Sequence, residues 1–513
     1  MDFYRRRVPH VSETTDPDEE SLDPEDWGAF RSLAHEALDK AIDSLESVRS
    51  RPVWKPVPEE VRARLCHPLP LEGQGLAKTL DEFQELIFPY STGNTHPRFF
   101  GWVHGTGTAS GIVAEMMAAA MNSNCGGRDH GAVYVERSVI DWSKQMFGYP
   151  EGSSGVLVSG TSMATLVALT VARHHAIARV RQDGISGAAA SLVAYTSSEA
   201  HESITKAFEV LGLGSSALRR LPVNPDCSMN LEALRAAIQA DRMAGMSPFC
   251  IIATAGTVNT GALDDLEAIA RICVEEGAWF HVDGAFGALA VLDERLKHLV
   301  SGIELADSIA FDFHKWLHVP YDAGCVLIRR GDLHRAALST RPSYLEGADR
   351  GLSGGGAWFC EYGIELSRSF RALKVWFALK EFGAKRFGKC IRRNCEQASY
   401  LSGLVRLQPR LELLIEPVLN IVCFRYIDPS LDAPDLDHLN SEIVSDLHES
   451  GIAAPSTTRV NGKLAIRIAI TNHRSTREDF RILVDGVLAM GNARVGGEAT
   501  SRRITAPAPV ALL

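Results

Sequence analysis

From Gly155 to about residue 330 the chain alternates short, continuously apolar runs with amphipathic stretches. They read GVLVSG, TSMATLVALTVARHHAIARVR, SLVAYTS, HESITKAFEVLG, FCIIATAGT, DDLEAIARICVEEG, WFHVDGAFGAL, SIAFDF and GCVLIRR. No feature constrains the fold more. A strand that is apolar on both faces has to be covered on both faces, and the intervening helical periodicity supplies the cover. The expected fold is therefore α/β with a parallel or mostly parallel sheet. Neither an internal repeat nor a low-complexity tract interrupts this body.

On either side the pattern changes. Apolar residues recur at helical spacing from Asp26 to about Ser50 and from Leu80 to Phe88, around a proline-rich joint at Pro52 to Pro58. After a long helix around Arg371 to Phe382 come another helix, LNIVCFRYI, a helix near Asp435 to Ser450, KLAIRIAI and a final helix from Thr476. These predict a smaller α+β domain. The expected division is a mobile tail over 1–25, an N-terminal helical arm over 26–108 and a large domain over 109–376. A small C-terminal domain over 377–493 and a second mobile tail over 494–513 complete it.

Several partners are excluded by charge and composition. Among 513 residues, 53 basic face 63 acidic ones, a formal charge of -10 that argues against nucleic acid. The longest apolar run is far short of a bilayer span, and the first twenty residues contain no apolar stretch of the secretory kind. A cytoplasmic chain without a membrane partner is expected. Ten cysteines occur without a CxxC pair or a histidine at zinc spacing, and read as reduced core thiols with no metal role. The arm has no core of its own and must bury its apolar stripe elsewhere, which predicts a homodimer.

In open α/β sheets ligands sit at the carboxyl ends of the strands, where this chain collects its polar residues. Ser159-Gly160-Thr161-Ser162 lies between a strand and a long helix, where free N–H groups favour a phosphate; a plain helix cap is the alternative. Gly105-x-Gly107-x-x-x-Gly111 misses the dinucleotide spacing by one residue and reads as a loop leading into a helix. Asp283 ends the apolar strand of WFHVDGA, where an unpaired charge is expensive, so it needs a cation or caps the next segment. Gly284 and Ala285 are small enough to admit a flat ring. Lys315 ends SIAFDFHKW, where desolvation makes an amine nucleophilic, although most lysines are surface charges. A phosphate loop, a buried acid and a desolvated lysine together specify pyridoxal 5'-phosphate, held as a Schiff base. His201, at the end of SLVAYTSSEAH, either stacks on such a ring or caps a helix.

With HPRFF (His96 to Phe100), His201, HVDGAFG and FHKWL in place, the chain resembles the group II pyridoxal phosphate decarboxylases. That family includes the aromatic L-amino-acid, tyrosine and glutamate decarboxylases, and the resemblance runs to the Arg467 region. It implies a fold-type I enzyme, like aspartate aminotransferase, working as a homodimer with wrapped arms and active sites at the interface. By resemblance Lys315 carries the cofactor, Asp283 partners the pyridinium nitrogen and His201 stacks on the ring. Thr161, Ser162 and His314 contact the phosphate, Ala285 lies beneath the ring, and Thr257 is near the phenolic oxygen. Tyr344, in a loop reaching Gly356 that looks flexible enough for a lid, matches a tyrosine that protonates the intermediate. Two features depart from the pattern. Asp312 stands where the aromatic enzymes have asparagine, placing an acid near the phosphate. Trp102, Val103 and His104 replace the residues lining the substrate pocket of the animal aromatic enzymes.

The resemblance implies decarboxylation of an L-amino acid to the amine and carbon dioxide. Ser367 matches a serine of plant tyrosine-type decarboxylases and favours a tyrosine- or dopa-like substrate. The alternatives are a glutamate-like substrate, an aldehyde synthase, a carbon-carbon lyase, or a non-catalytic protein that binds pyridoxal phosphate.

Overall fold

The computed structural model describes residues 21–185, 191–340 and 348–498. Seven strands build the central sheet: β1 (Ser154–Val158), β2 (Leu192–Ser197), β3 (Leu218–Leu221), β4 (Ser247–Thr254), β5 (Trp279–Asp283), β6 (Ser308–Asp312) and β7 (Gly324–Ile328). Their order is β1-β7-β6-β5-β4-β2-β3. Pairings from β6 through β5, β4 and β2 to β3 are parallel, while β7 runs antiparallel to both β1 and β6. Every residue of β2, β5, β6 and β7 is buried, as continuous apolar runs require of a sheet covered on both faces. The expected fold class therefore stands.

The helices preceding the sheet are α1 (Trp27–Glu46), α2 (Glu59–Leu65), α3 (Leu76–Leu86), α4 (Ala109–Met121) and α5 (Gly131–Met146). Next comes α6 (Thr161–Ala176), which follows β1 directly and lies across β6 and β7. Ala164, Ala168 and Ala172 on α6 are buried, and their small side chains let the helix approach the sheet closely. This approach aims the first turn of α6 at the carboxyl ends of β5 and β6.

A second, antiparallel sheet is formed by β8 (Leu411–Ile415), β9 (Ile421–Tyr426), β10 (Ser456–Val460) and β11 (Lys463–Ala469), in the order β10-β11-β9-β8. Helices Ala433–Glu449 and Arg477–Glu498 pack on it. The HPRFF segment docks here: Phe100 enters this core with its ring 5.6 Å from that of Phe480, and Phe99 bridges to Ala454. The next residues, Trp102 to His104, are thereby carried to the junction of the two sheets.

Strands β3, β8 and β10 are absent from the sequence reading. All three are sheet edges, and LRRL, LELLI and STTRV carry the polar residues that an edge exposes. Two of the helices preceding the sheet, one in the arm and one just after it, expose apolar residues in the single chain. Helix α1 has no buried residue, and α4 buries only Gly111 and Ala114 while Val113, Met116, Met117 and Met121 stay exposed. Among the described residues no helix is long and apolar enough to cross a membrane.

Candidate active site

A cavity of about 520 Å³ opens where the carboxyl ends of β5 and β6 meet the start of α6, and Asp283, Asp312 and Lys315 all line it. The register explains the grouping. Parallel β5 and β6 end side by side, so Asp283 and Asp312 arrive at the same edge, and a helical turn over Phe313–Trp316 follows at once and carries Lys315.

Asp283 is 3% exposed, and its Oδ1 accepts from the N–H of Ala285 at 3.2 Å. Burial pushes its carboxyl up, an effect partly offset by the charge of Lys315. A buried acid in that state is stabilised by a cation placed against it. Ala285 lines the cavity. Gly284 is small for a different reason than ring access, because a Cβ there would sit 2.4 Å from that of Ala288.

Asp312 resolves a point the sequence left open. Its Oδ1 accepts from the N–H of Thr161 at 2.8 Å, and its Oδ2 lies 3.1 Å from Lys315 Nζ and 3.7 Å from His314 Nε2. His314 Nδ1 takes the N–H of Ala323 at 3.2 Å, and burial is the main cause that lowers its pKa. Thr161 and Ser162 line the cavity at the first turn of α6, with Thr161 Oγ1 buried and free of any hydrogen-bond partner among the described residues.

His201 is both a cavity residue and a cap. It starts helix Glu202–Val210, where its Nδ1 accepts from the N–H of Ser203 at 3.1 Å. The two readings of this histidine are thus compatible.

Thr257 is not among the residues lining the cavity, and its hydroxyl lies 3.0 Å from that of Thr260 and accepts from Ala262 N at 3.1 Å. Thr254, Gly256 and Val258 line the cavity instead, the alternation that follows from a strand exit. Thr254 Oγ1 is buried without a partner among the described residues, so the threonine available to a ligand is three positions earlier than expected.

Trp102 and His104 stand at the cavity mouth. His104 stacks on both Phe99 and Trp102, each centroid 5.6 Å away in a three-ring cluster whose other pair lies 6.3 Å apart, and meets Tyr321 edge-on at 6.1 Å. Burial, then the charge of Lys315, lowers the His104 pKa. Trp102 holds φ 50, a strained value for a bulky residue, and Val103 is buried beside it. Gly105 is pressed against the lysine turn so closely that a Cβ would fall 1.6 Å from His314 O. Tyr321, six residues beyond Lys315, went unread in the sequence; its ring lies 4.4 Å from that of His314. Burial pushes its hydroxyl up to about 12.

Ser367 is exposed, precedes helix Ala372–Phe382 and does not line the cavity of its own chain. Tyr344 lies outside the described residues. The glycines at the end of its loop are tied down: Gly354 O accepts from Trp358 Nε1 at 3.3 Å, and Gly355 O accepts from Arg137. Arg467 is buried behind the site and donates to the carbonyls of Val258 and Asn259.

The donor set fits pyridoxal phosphate. A partnerless hydroxyl waits at a helix N-terminus, a buried acid has its pKa raised, and a lysine amine faces the same cavity. Fold and site define a fold-type I pyridoxal phosphate enzyme.

The pyridoxal-dependent decarboxylase conserved domain matches residues 58–427. An aromatic-L-amino-acid decarboxylase of Bacillus atrophaeus is 35% identical, over 88% of this chain and 93% of the relative. The Oryza sativa TDC structure with PLP and tryptamine superposes with a TM-score of 0.85 at 28% identity, covering 92% of this chain and 100% of that one. A Catharanthus roseus tryptophan decarboxylase in complex with L-tryptophan gives a TM-score of 0.82 at 26% identity over 92% and 100%. The chain belongs to the pyridoxal-dependent decarboxylase family. It is a pyridoxal phosphate-dependent carboxy-lyase that acts on an amino acid.

Proposed function

We propose that this enzyme converts an aromatic L-amino acid, with a tyrosine- or dopa-like side chain favoured, into the amine and carbon dioxide. The observation that carries this reading is the aromatic wall of the cavity, where Trp102, His104 and Tyr321 line the space and Phe99 packs against both Trp102 and His104. A flat ring gains contact area and ring-ring attraction against such a wall. An acidic side chain would need a cation. Among the described lining residues Lys315 is the one lysine or arginine, and Asp312 already pairs with it. Relatives named as aromatic-L-amino-acid and tryptophan decarboxylases support an aromatic substrate, alongside others named as histidine decarboxylases.

When bound, pyridoxal phosphate takes up the electron pair left as the substrate carboxylate departs. Thr161, Ser162 and His314 would hold its phosphate, Lys315 would attach it covalently, and His201 would stack against its ring. Asp283 would keep a proton on the ring nitrogen. Tyr344 is assigned delivery of a proton to the α-carbon, which makes the product an amine; Tyr344→Phe should divert turnover towards aldehyde.

The working unit is a homodimer. Helices α1 and α4 leave apolar faces that a second copy would bury.

The test is a panel of tyrosine, dopa, tryptophan and glutamate, assayed for carbon dioxide and amine release. Tyrosine or dopa should lead. Glutamate as the best substrate would overturn the reading.

A further inference from the structure

Helix N-termini bind phosphate through backbone N–H groups that have no partner within the helix. In this chain the first of these on α6, the N–H of Thr161, already donates to Asp312 Oδ1 at 2.8 Å. The carboxylate is 1% exposed, and its other oxygen faces Lys315 Nζ at 3.1 Å and His314 Nε2 at 3.7 Å. Thus Thr161 and His314, which should serve the phosphate, and Lys315, which should carry the cofactor, all face one internal anion. Lys315 is the only lysine or arginine within salt-bridge distance of Asp312 among the described residues.

We propose that Asp312 is a positioning residue that occupies the anion corner of the cofactor site, holding Lys315 and the first amide of α6, and that the cofactor's phosphate binds against its charge. The site then gains less from the phosphate than an uncharged side chain of the same shape would allow. Two consequences follow. Lys315 is held in place before the cofactor arrives, and the phosphate's share of the affinity is reduced by a like charge in a poorly solvated corner. This inference rests on the chain's being a pyridoxal phosphate enzyme and is independent of which amino acid it decarboxylates.

The experiment uses the full-length protein stripped of cofactor and titrated with pyridoxal phosphate and with pyridoxal, following the absorbance of the covalent adduct. The quantity compared is the ratio of the two dissociation constants. Any change in the reactivity of Lys315 affects both ligands and cancels in that ratio. Asp312→Asn keeps an oxygen for the Thr161 N–H and removes the charge, so the preference for the phosphorylated ligand should rise on the order of tenfold. Asp312→Ala should raise it in the same direction and serves if the asparagine variant does not fold. An unchanged or smaller preference in the folded variant would overturn the proposal alone. Failure of the wild-type chain to form an adduct with pyridoxal phosphate would overturn the cofactor assignment as well.

Discussion

Ser203 brings two donors to one nitrogen of His201: its N–H lies 3.1 Å from Nδ1 and its hydroxyl 2.8 Å from the same atom. An imidazole nitrogen that accepts an N–H carries no proton, so the His201 proton is fixed on Nε2 and the ring is oriented by the helix it caps. Ser203→Ala removes one donor and leaves the backbone one. Turnover should fall several-fold, corresponding to about 1 kcal/mol, with KM little changed. Ser203→Thr should restore it. A Ser203→Ala enzyme with wild-type turnover would show that the hydroxyl has no such role.

Asp283 is expected to act through its charge. Asp283→Asn preserves shape and the acceptor for the Ala285 N–H but cannot stabilise a cationic ring nitrogen. Turnover should drop by several powers of ten, each worth about 1.4 kcal/mol of barrier. Steady-state rates on the best substrate give the answer, and a loss under about tenfold would contradict the assignment.

Stability should fall in mild acid. Burial pushes His281 down to about 3 and His334 to about 4, and each is held by a serine hydroxyl at 2.8 Å. The unfolded chain takes up these protons near 6.5 and the folded chain does not. Their contribution is therefore complete above 6.5 and is lost as the pH falls towards 4. One unit below 6.5 each histidine costs about 1.4 kcal/mol. Asp264, raised to about 6 by burial, works in the opposite direction and offsets part of the loss. Thermal midpoints should drop between pH 7 and 5; a flat profile would contradict this balance.

The exposed face of α4 is where the proposed dimer is expected to be broken. Met117 is 46% exposed between Val113 and Met121, which are also exposed. Met117→Glu should convert a dimer into an inactive or weakly active monomer, as read by light scattering alongside turnover. A fully active wild-type monomer would refute the dimer outright.

Much of this was legible in the chain because the central strands are apolar on both faces. LVAYTS, WFHVD and SIAFD allow no other placement, and the residues that end them follow with them. Asp283 ends WFHVD, and Lys315, Thr161 and His201 follow other strand ends, so all four come to line one cavity. What escaped depends on the third dimension. Edge strands such as LRRL and STTRV lack the apolar signature. Thr257 and Thr254 differ only in which side of a strand exit they face. Gly284 is fixed by Ala288, and Asp312 finds Thr161 because β6 and β1 both pair antiparallel with β7, with Asp312 and Val158 each opposite Gly324, a register that no local pattern announces. Tyr321 reaches His314 only because the chain after Lys315 turns back on itself. Ser367 is close in sequence to buried Arg368 yet points outward, so its neighbours gave no hint of its exposure.

Lys315 is expected to carry the cofactor in this site. Borohydride reduction of the purified, yellow enzyme followed by digestion and peptide mapping tests it most directly. The pyridoxyl group should be found on Lys315, and Lys315→Ala should lose both the absorbance band and the label. A label on another lysine, or a Lys315→Ala enzyme that keeps the band and decarboxylates at the normal rate, would contradict the account.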